Sequence, residues 1–202
     1  FFFHIKCGLI FHQIAFMILF MNELQEAIYE TIISIFKNKF LSQKFKKHED
    51  YLNQKIIENS AIRYGILNYV AKYSLANDYY FISDKCFNYL KKTNLINKKG
   101  LLRGNKGSKY KFTFEHPVPS NIIADLLYQN YSDEKKLKKI LKATDIVTIV
   151  TYEENEILNK SKLTSTMPPN WKIFKSNIFE RYLYSGIKIP TKKIKVYGAL
   201  AR

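Results

Sequence analysis

Residues 85–119 read KCFNYLKKTNLINKKGLLRGNKGSKYKFTFEHPVP. From Lys85 to Phe114 this stretch carries nine Lys or Arg and no acid, and it ends on the doublet Glu115-His116. Tyr110, Phe112 and Phe114 alternate with Lys109, Lys111 and Thr113, which is the period of a half-buried strand. Ahead of that strand, Ser83 offers a cap for a helix with Phe87 and Leu90 facing inward. Lys98-Lys99-Gly100 closes the helical region, and Leu101-Leu102-Arg103 reads as a short strand. The turn Gly104-Asn105-Lys106-Gly107 is expected to reverse it into the Tyr110–Phe114 strand. The doublet then sits where a strand hands over to a turn stiffened by Pro117 and Pro119.

Working toward the N-terminus, Leu24, Ile28, Ile32, Ile35 and Phe36 recur at helical steps, so a helix with one buried face is expected from Asn22 to about Lys46. Asn22 can cap it, with Gln25 three residues on. A polar stretch, 46–59, separates it from a second helix carrying Ile62, Ile66, Leu67, Val70 and Ala71, capped by Ser60, and Asn77-Asp78 makes a turn. Helix, turn, helix and basic hairpin is the outline of a winged helix. In that outline Lys85, Asn88, Lys91 and Lys92 reach a DNA groove. Lys106, Lys109 and Lys111 meet phosphates, with Lys98, Lys99 and Arg103 in the same basic surface. The alternative is a small helical domain with a solvated lysine face.

Toward the C-terminus, Ser120 or Asn121 can cap a helix with Ile122, Ile123, Leu126 and Leu127. Ser132-Asp133-Glu134 begins another, whose Leu137, Ile140 and Leu141 form a narrow stripe among Lys135, Lys136, Lys138, Lys139 and Lys142. Asp145–Val150 is a β-branched run that predicts a strand. Thr151 with Glu154 makes a capping box, so a helix follows at once and places Asn155 and Asn159 one turn apart. Glu153, Glu154 and Glu156 read either as metal oxygens or as carboxylates favoured at a helix start. Met167-Pro168-Pro169-Asn170-Trp171 is irregular, with Trp171 packing it down. Arg181-Tyr182 and Ser185-Gly186 suit either a phosphate clamp or surface packing.

The 202 residues hold 33 Lys and Arg against 17 Asp and Glu, a formal charge of +16. AT-rich coding explains the preference for Lys over Arg, but it supplies Glu as freely, so the excess points to an acidic partner, nucleic acid or an anionic surface. Cys7 and Cys86 lie far apart with no zinc or disulfide spacing, which suits a reducing cytoplasm, and Cys86 falls among core positions. Residues 1–20 are apolar but interrupted by His12 and Gln13. They read as a mis-extended start, with translation opening at Met17 or Met21, or as a membrane anchor.

A strand ending in Glu-His, a later strand and a capped helix bearing Asn follow one another in the order found in the ββα-metal nucleases, and over Tyr110–Lys160 the chain resembles the HNH endonuclease family. The resemblance implies that His116 is the general base. It implies that Glu115 and Asn155 or Asn159 hold Mg²⁺ or Mn²⁺ against a scissile phosphate. No histidine follows His116, so the helix ligand falls to Asn.

The expected architecture is α+β. An apolar leader occupies residues 1–20, a helical, winged-helix-like region 21–115, and a small mixed α/β, nuclease-like region 116–202. Two functions follow: a metal-dependent endonuclease of restriction or defence type acting on DNA, or a non-catalytic winged-helix DNA-binding protein whose extra domain serves dimerisation or partner contact. A membrane partner enters only with a genuine leader.

Overall fold

The structure, a computed structural model, describes residues 22–37 and 61–198. The leader, the polar 46–59 stretch, the Ser60 cap and the far part of the first helix fall outside those residues. The protein is a mixed α and β structure whose described residues form seven helices and a six-stranded mixed sheet. Helices α1 (Glu23–Lys37) and α2 (Ala61–Leu75) lead into β1 (Tyr79–Ile82) and α3 (Asp84–Lys92). Strands β2 (Ile96–Asn97), β3 (Gly100–Leu102) and β4 (Phe112–Glu115) follow, then α4 (Ser120–Gln129) and α5 (Glu134–Ala143). The chain ends in β5 (Thr148–Thr151), α6 (Tyr152–Lys160), α7 (Glu180–Tyr184) and β6 (Lys192–Tyr197). No helix among the described residues is long and apolar enough to cross a membrane.

Several local signals become structure. Asn22 and Gln25 exchange reciprocal side-chain to backbone bonds at the start of α1, with Asn22 Oδ1 accepting from Gln25 N at 2.9 Å and Gln25 Oε1 from Asn22 N at 3.2 Å. Ser83 Oγ accepts from Cys86 N at the head of α3, and Asp133 from Lys136 N at the head of α5. Thr151 and Glu154 form the full capping box of α6. The α1 stripe is rotated from the expected one. Gln25, Tyr29 and Ile33 are buried beside Ile28, Ile32 and Phe36, while Leu24 is exposed, because the helix is covered on a broader arc than the simple apolar spacing marks. Pro119, rather than Ser120 or Asn121, occupies the cap of α4 and makes no side-chain bond.

The sheet runs in the order β2-β3-β6-β1-β5-β4. β1 pairs parallel to β5 and antiparallel to β6, β3 parallel to β6, and β4 antiparallel to β5. This overturns the expected hairpin. β3 pairs with β2 through Ile96↔Leu101 and with β6, whereas β4 lies at the other edge of the sheet beside β5. The Gly104–Gly107 segment therefore leads from an inner strand to the far edge of the sheet instead of closing a wing. The reason is non-local: β1 and β6, neither expected from the sequence, occupy the middle and separate the two basic strands. One continuous sheet also spans the 115/116 boundary expected between regions.

Three apolar clusters hold the layers together. Helices α1, α2, α4 and α5 pack around Ile32, Ile66, Ile123 and Ile140, closed by partly buried Trp171. On one face of the sheet Tyr80, Ile82, Leu101, Phe112 and Ile149 enclose Cys86 and Leu90 of α3. Leu101 and Phe112 share this cluster although three strands lie between theirs, so the sheet curves around α3. On the other face Val150 meets Leu158 of α6 and Tyr182 of α7. All four residues of β5 are buried, as a strand covered on both faces requires.

Candidate functional site

Basic side chains gather around α3. Lys85, Asn88 and Lys92 recur at three- and four-residue steps on one exposed side of the helix. Lys91 places Nζ 4.6 Å from the centre of the Phe87 ring, and Lys192 of β6 places its own 5.0 Å from the same ring. Lys98 and Lys99 are exposed in the β2–β3 turn, as are Lys109 and Lys111 before β4. Lys109 lies over Tyr110 and half-buried Lys106 over Phe114, each at 5.4 Å. The neighbouring acids are engaged. Asp84 pairs with Lys188 and Lys192, both at 2.9 Å, which hold its carboxyl down to about 2, and Glu153 lies 3.8 Å from Lys85.

Arg103 does not belong to this surface. It is buried, giving Nε to Tyr80 Oη at 3.2 Å, Nη1 to Gly198 O at 2.9 Å and Nη2 to Asn77 O. Those bonds tie β3 to the flanks of β1 and β6, so the guanidinium has no reach toward a phosphate.

The Glu115-His116 doublet closes β4, with Glu115 opposite Thr148 at the start of β5. α6 begins at the other end of β5 and packs back over β4 and β5. Two antiparallel strands and a returning helix are thus assembled. The link between them is Arg181 of α7, whose side chain is 1% exposed. Its Nη2 donates to the Glu115 carboxylate and to His116 O, and its Nη1 to Leu163 O at 2.8 Å and Thr164 O at 3.2 Å. The Thr164 hydroxyl donates to Asn159 Oδ1 at 2.5 Å. Glu115, the His116 backbone and Asn159 therefore meet in one network centred on a guanidinium, and Asn155 makes no contact in it. Because Arg181 is buried with its Nη donors committed, it is a clamp on the protein's own chain, not on a phosphate.

Burial raises the Glu115 carboxyl, opposed by Arg181. The His116 ring turns instead toward the backbone of Ala71 in α2, and Nε2 is buried without a partner. Burial lowers its pKa to about 4, the Ala71 bond opposing and Arg181 and Lys106 adding to the shift, so the imidazole is neutral at pH 7. A metal ion does not fit the donor set as placed. Glu115 is matched by Arg181, Asn159 by Thr164, and no group of three His, Cys, Asp or Glu among the described residues is arranged to hold one. Glu154 likewise serves structure. It is buried, accepting from Thr151 N at 2.9 Å and from Ser83 Oγ at 2.6 Å, which joins the ends of parallel strands β5 and β1. Glu153 is engaged with Lys85, and Glu156 is exposed.

A further, half-buried carboxyl carries no local signal in the sequence. Asp145 accepts from Gln25 Nε2 at 2.9 Å and Asn77 Nδ2 at 2.6 Å, joining α1, the α2–β1 turn and the approach to β5. Burial pushes it up to about 7, against the two amide donors and Lys193. Lys188 and Lys192 were missed as well. The alternation in Lys192–Tyr197, with Ile194 and Val196 inward, is the available signal for Lys192, and Lys188 has none.

Comparison with known protein families, curated proteins and solved structures found no match.

Proposed function

We propose that the protein binds nucleic acid through the surface formed by α3, the β2–β3 turn and Lys192 of β6. The observation that carries this reading is the gathering of exposed lysines around the Phe87 ring on a face whose acids, Asp84 and Glu153, already have lysine partners. Repulsion among unpaired ammonium groups is relieved when a polyanion lies across them and releases its counterions. α3 followed by β2 and β3 retains the helix-then-strands order of a DNA-reading unit without its wing. The test is fluorescence anisotropy of a labelled duplex across a salt series. Replacing Lys91, Lys92, Lys98 and Lys99 by Gln is expected to make the slope of log K against log salt shallower by about 0.9 for each phosphate that is no longer neutralised. An unchanged slope would remove the reading.

Phosphodiester cleavage is a second reading, favoured by one observation: β4, β5 and α6 stand in the ββα order and Glu115 and Asn159 share a network. Set against it are the direction of the His116 ring and the guanidinium that occupies the cation position beside Glu115. The same preparation decides the matter. Plasmid cutting with Mg²⁺ or Mn²⁺ that disappears in His116→Ala, with binding retained, would establish cleavage. Binding without cutting leaves a DNA-binding protein.

A further inference from the structure

The loop between α6 and α7 presents Phe174 in an unusual way. Its backbone is left-handed at φ 68°, a conformation that bulky residues rarely adopt, and the residue is 42% exposed. The loop fixes this arrangement. Lys172 N donates to Ser176 Oγ at 3.0 Å, Ser176 N to Lys172 O at 2.9 Å, and Trp171 Nε1 to Asn177 O at 3.0 Å, while Trp171 packs on the helical core. An apolar ring is thus held outward by a hydrogen-bonded loop, where burial would be the cheaper arrangement.

What surrounds the ring decides what it can meet. Lys135, Lys138, Lys139 and Lys142 of α5 line an open groove of about 450 Å³ with Ala143 and Phe174. The three- and four-residue spacing of Lys135, Lys139 and Lys142 sets them on one helix face, and Lys139 Nζ lies 4.6 Å from the Phe174 ring centre. Among the described residues none of these three is in an ion pair, whereas Lys138 reaches Glu26 at 4.0 Å. The groove offers an apolar floor, an aromatic ring and a row of positive charges with no acid partner among the described residues.

We infer that this groove is a second nucleic-acid contact, specific for an unpaired strand, in which a base stacks on Phe174 and the adjoining phosphates lie along Lys135, Lys139 and Lys142. Its strandedness follows from the ring, because a base within a duplex has no free face to stack, while every unpaired base does. The class of partner rests on the nucleic-acid reading above, but the residues are different, so the two fail separately.

The experiment measures binding of the full chain to a labelled oligothymidylate of about 15 nucleotides, long enough for a single-strand site, and to a duplex of equal length. Phe174→Ala is expected to weaken single-strand binding by about five- to 100-fold and leave duplex binding unchanged. Phe174→Tyr keeps the ring and is expected to retain affinity, which separates stacking from a folding defect. Joint replacement of Lys135, Lys139 and Lys142 by Gln is expected to make the single-strand salt slope shallower by about 2. The inference is overturned if Phe174→Ala binds the single strand like the parent, or if both substrates weaken equally. It is also overturned if the substitution abolishes binding to phosphatidylserine vesicles while oligonucleotide affinity stays intact, an outcome that assigns the groove to a lipid surface. Replacing Lys91, Lys92, Lys98 and Lys99 should leave the Phe174 effect in place.

Discussion

Asp145 shows how little a single residue need announce itself in sequence to matter in the fold. It stands at the head of a β-branched run and reads as a boundary, yet it joins three elements whose side chains reach it from Gln25 and Asn77. Its carboxyl is raised to about 7, above its unfolded value, so the proton it retains stabilises the fold fully at pH below about 4. That contribution is lost as pH rises through 7. Urea midpoints of the parent and of Asp145→Asn, compared at pH 4.5 and 7.5, are expected to show the parent's relative stability falling with rising pH. A constant difference would mean that the carboxyl ionises alike in both states. Caps were legible at this scale because their signals lie within three residues, as in Asn22 with Gln25 and Thr151 with Glu154. Arg181 was legible only as a candidate, since its partners Glu115, Leu163 and Thr164 are brought to it by tertiary folding.

At the scale of elements, Glu154 does more than its capping box indicates. The same carboxylate that meets Thr151 N also accepts from Ser83 Oγ, and Ser83 in turn caps α3. The starts of two helices on opposite faces of the sheet are thereby coupled through one buried side chain. Glu154→Ala is expected to cost about 2 kcal/mol, the sum of a lost half of the capping box and a Ser83 hydroxyl left without its acceptor, read from the urea midpoint. Glu154→Gln, which keeps an acceptor, should cost less. Strand β5 and the apolar face of α5 were readable from their patterns. The short Tyr79–Ile82 strand and the charged Lys192–Tyr197 strand were not. Four residues carry too few alternations to register, and β6 alternates lysine with apolar residues only in part.

For the whole molecule, the decisive fact is which strands become neighbours. A mixed α and β class follows from patterning, but the order β2-β3-β6-β1-β5-β4 depends on pairings between distant parts of the chain that no local signal encodes. One position makes that seam especially exacting. Gly100 has φ 113°, and a Cβ there would stand 2.3 Å from Lys195 O of β6. Gly100→Ala is expected to destabilise the protein by about 3 kcal/mol and to expose the β3–β6 amides to hydrogen exchange before those of β4–β5. Uniform loss of protection would show that the sheet opens as one unit.

The central position of β6 also orders events during synthesis. A growing chain presents β1 and β3 long before Lys192–Tyr197 leaves the ribosome, and each then carries a row of backbone donors and acceptors facing the gap that β6 will fill. Until residue 197 has been made, neither β1 nor β3 can complete its pairing with β6, and it is at such unpaired margins that chaperone capture or pairing with another nascent chain competes with folding.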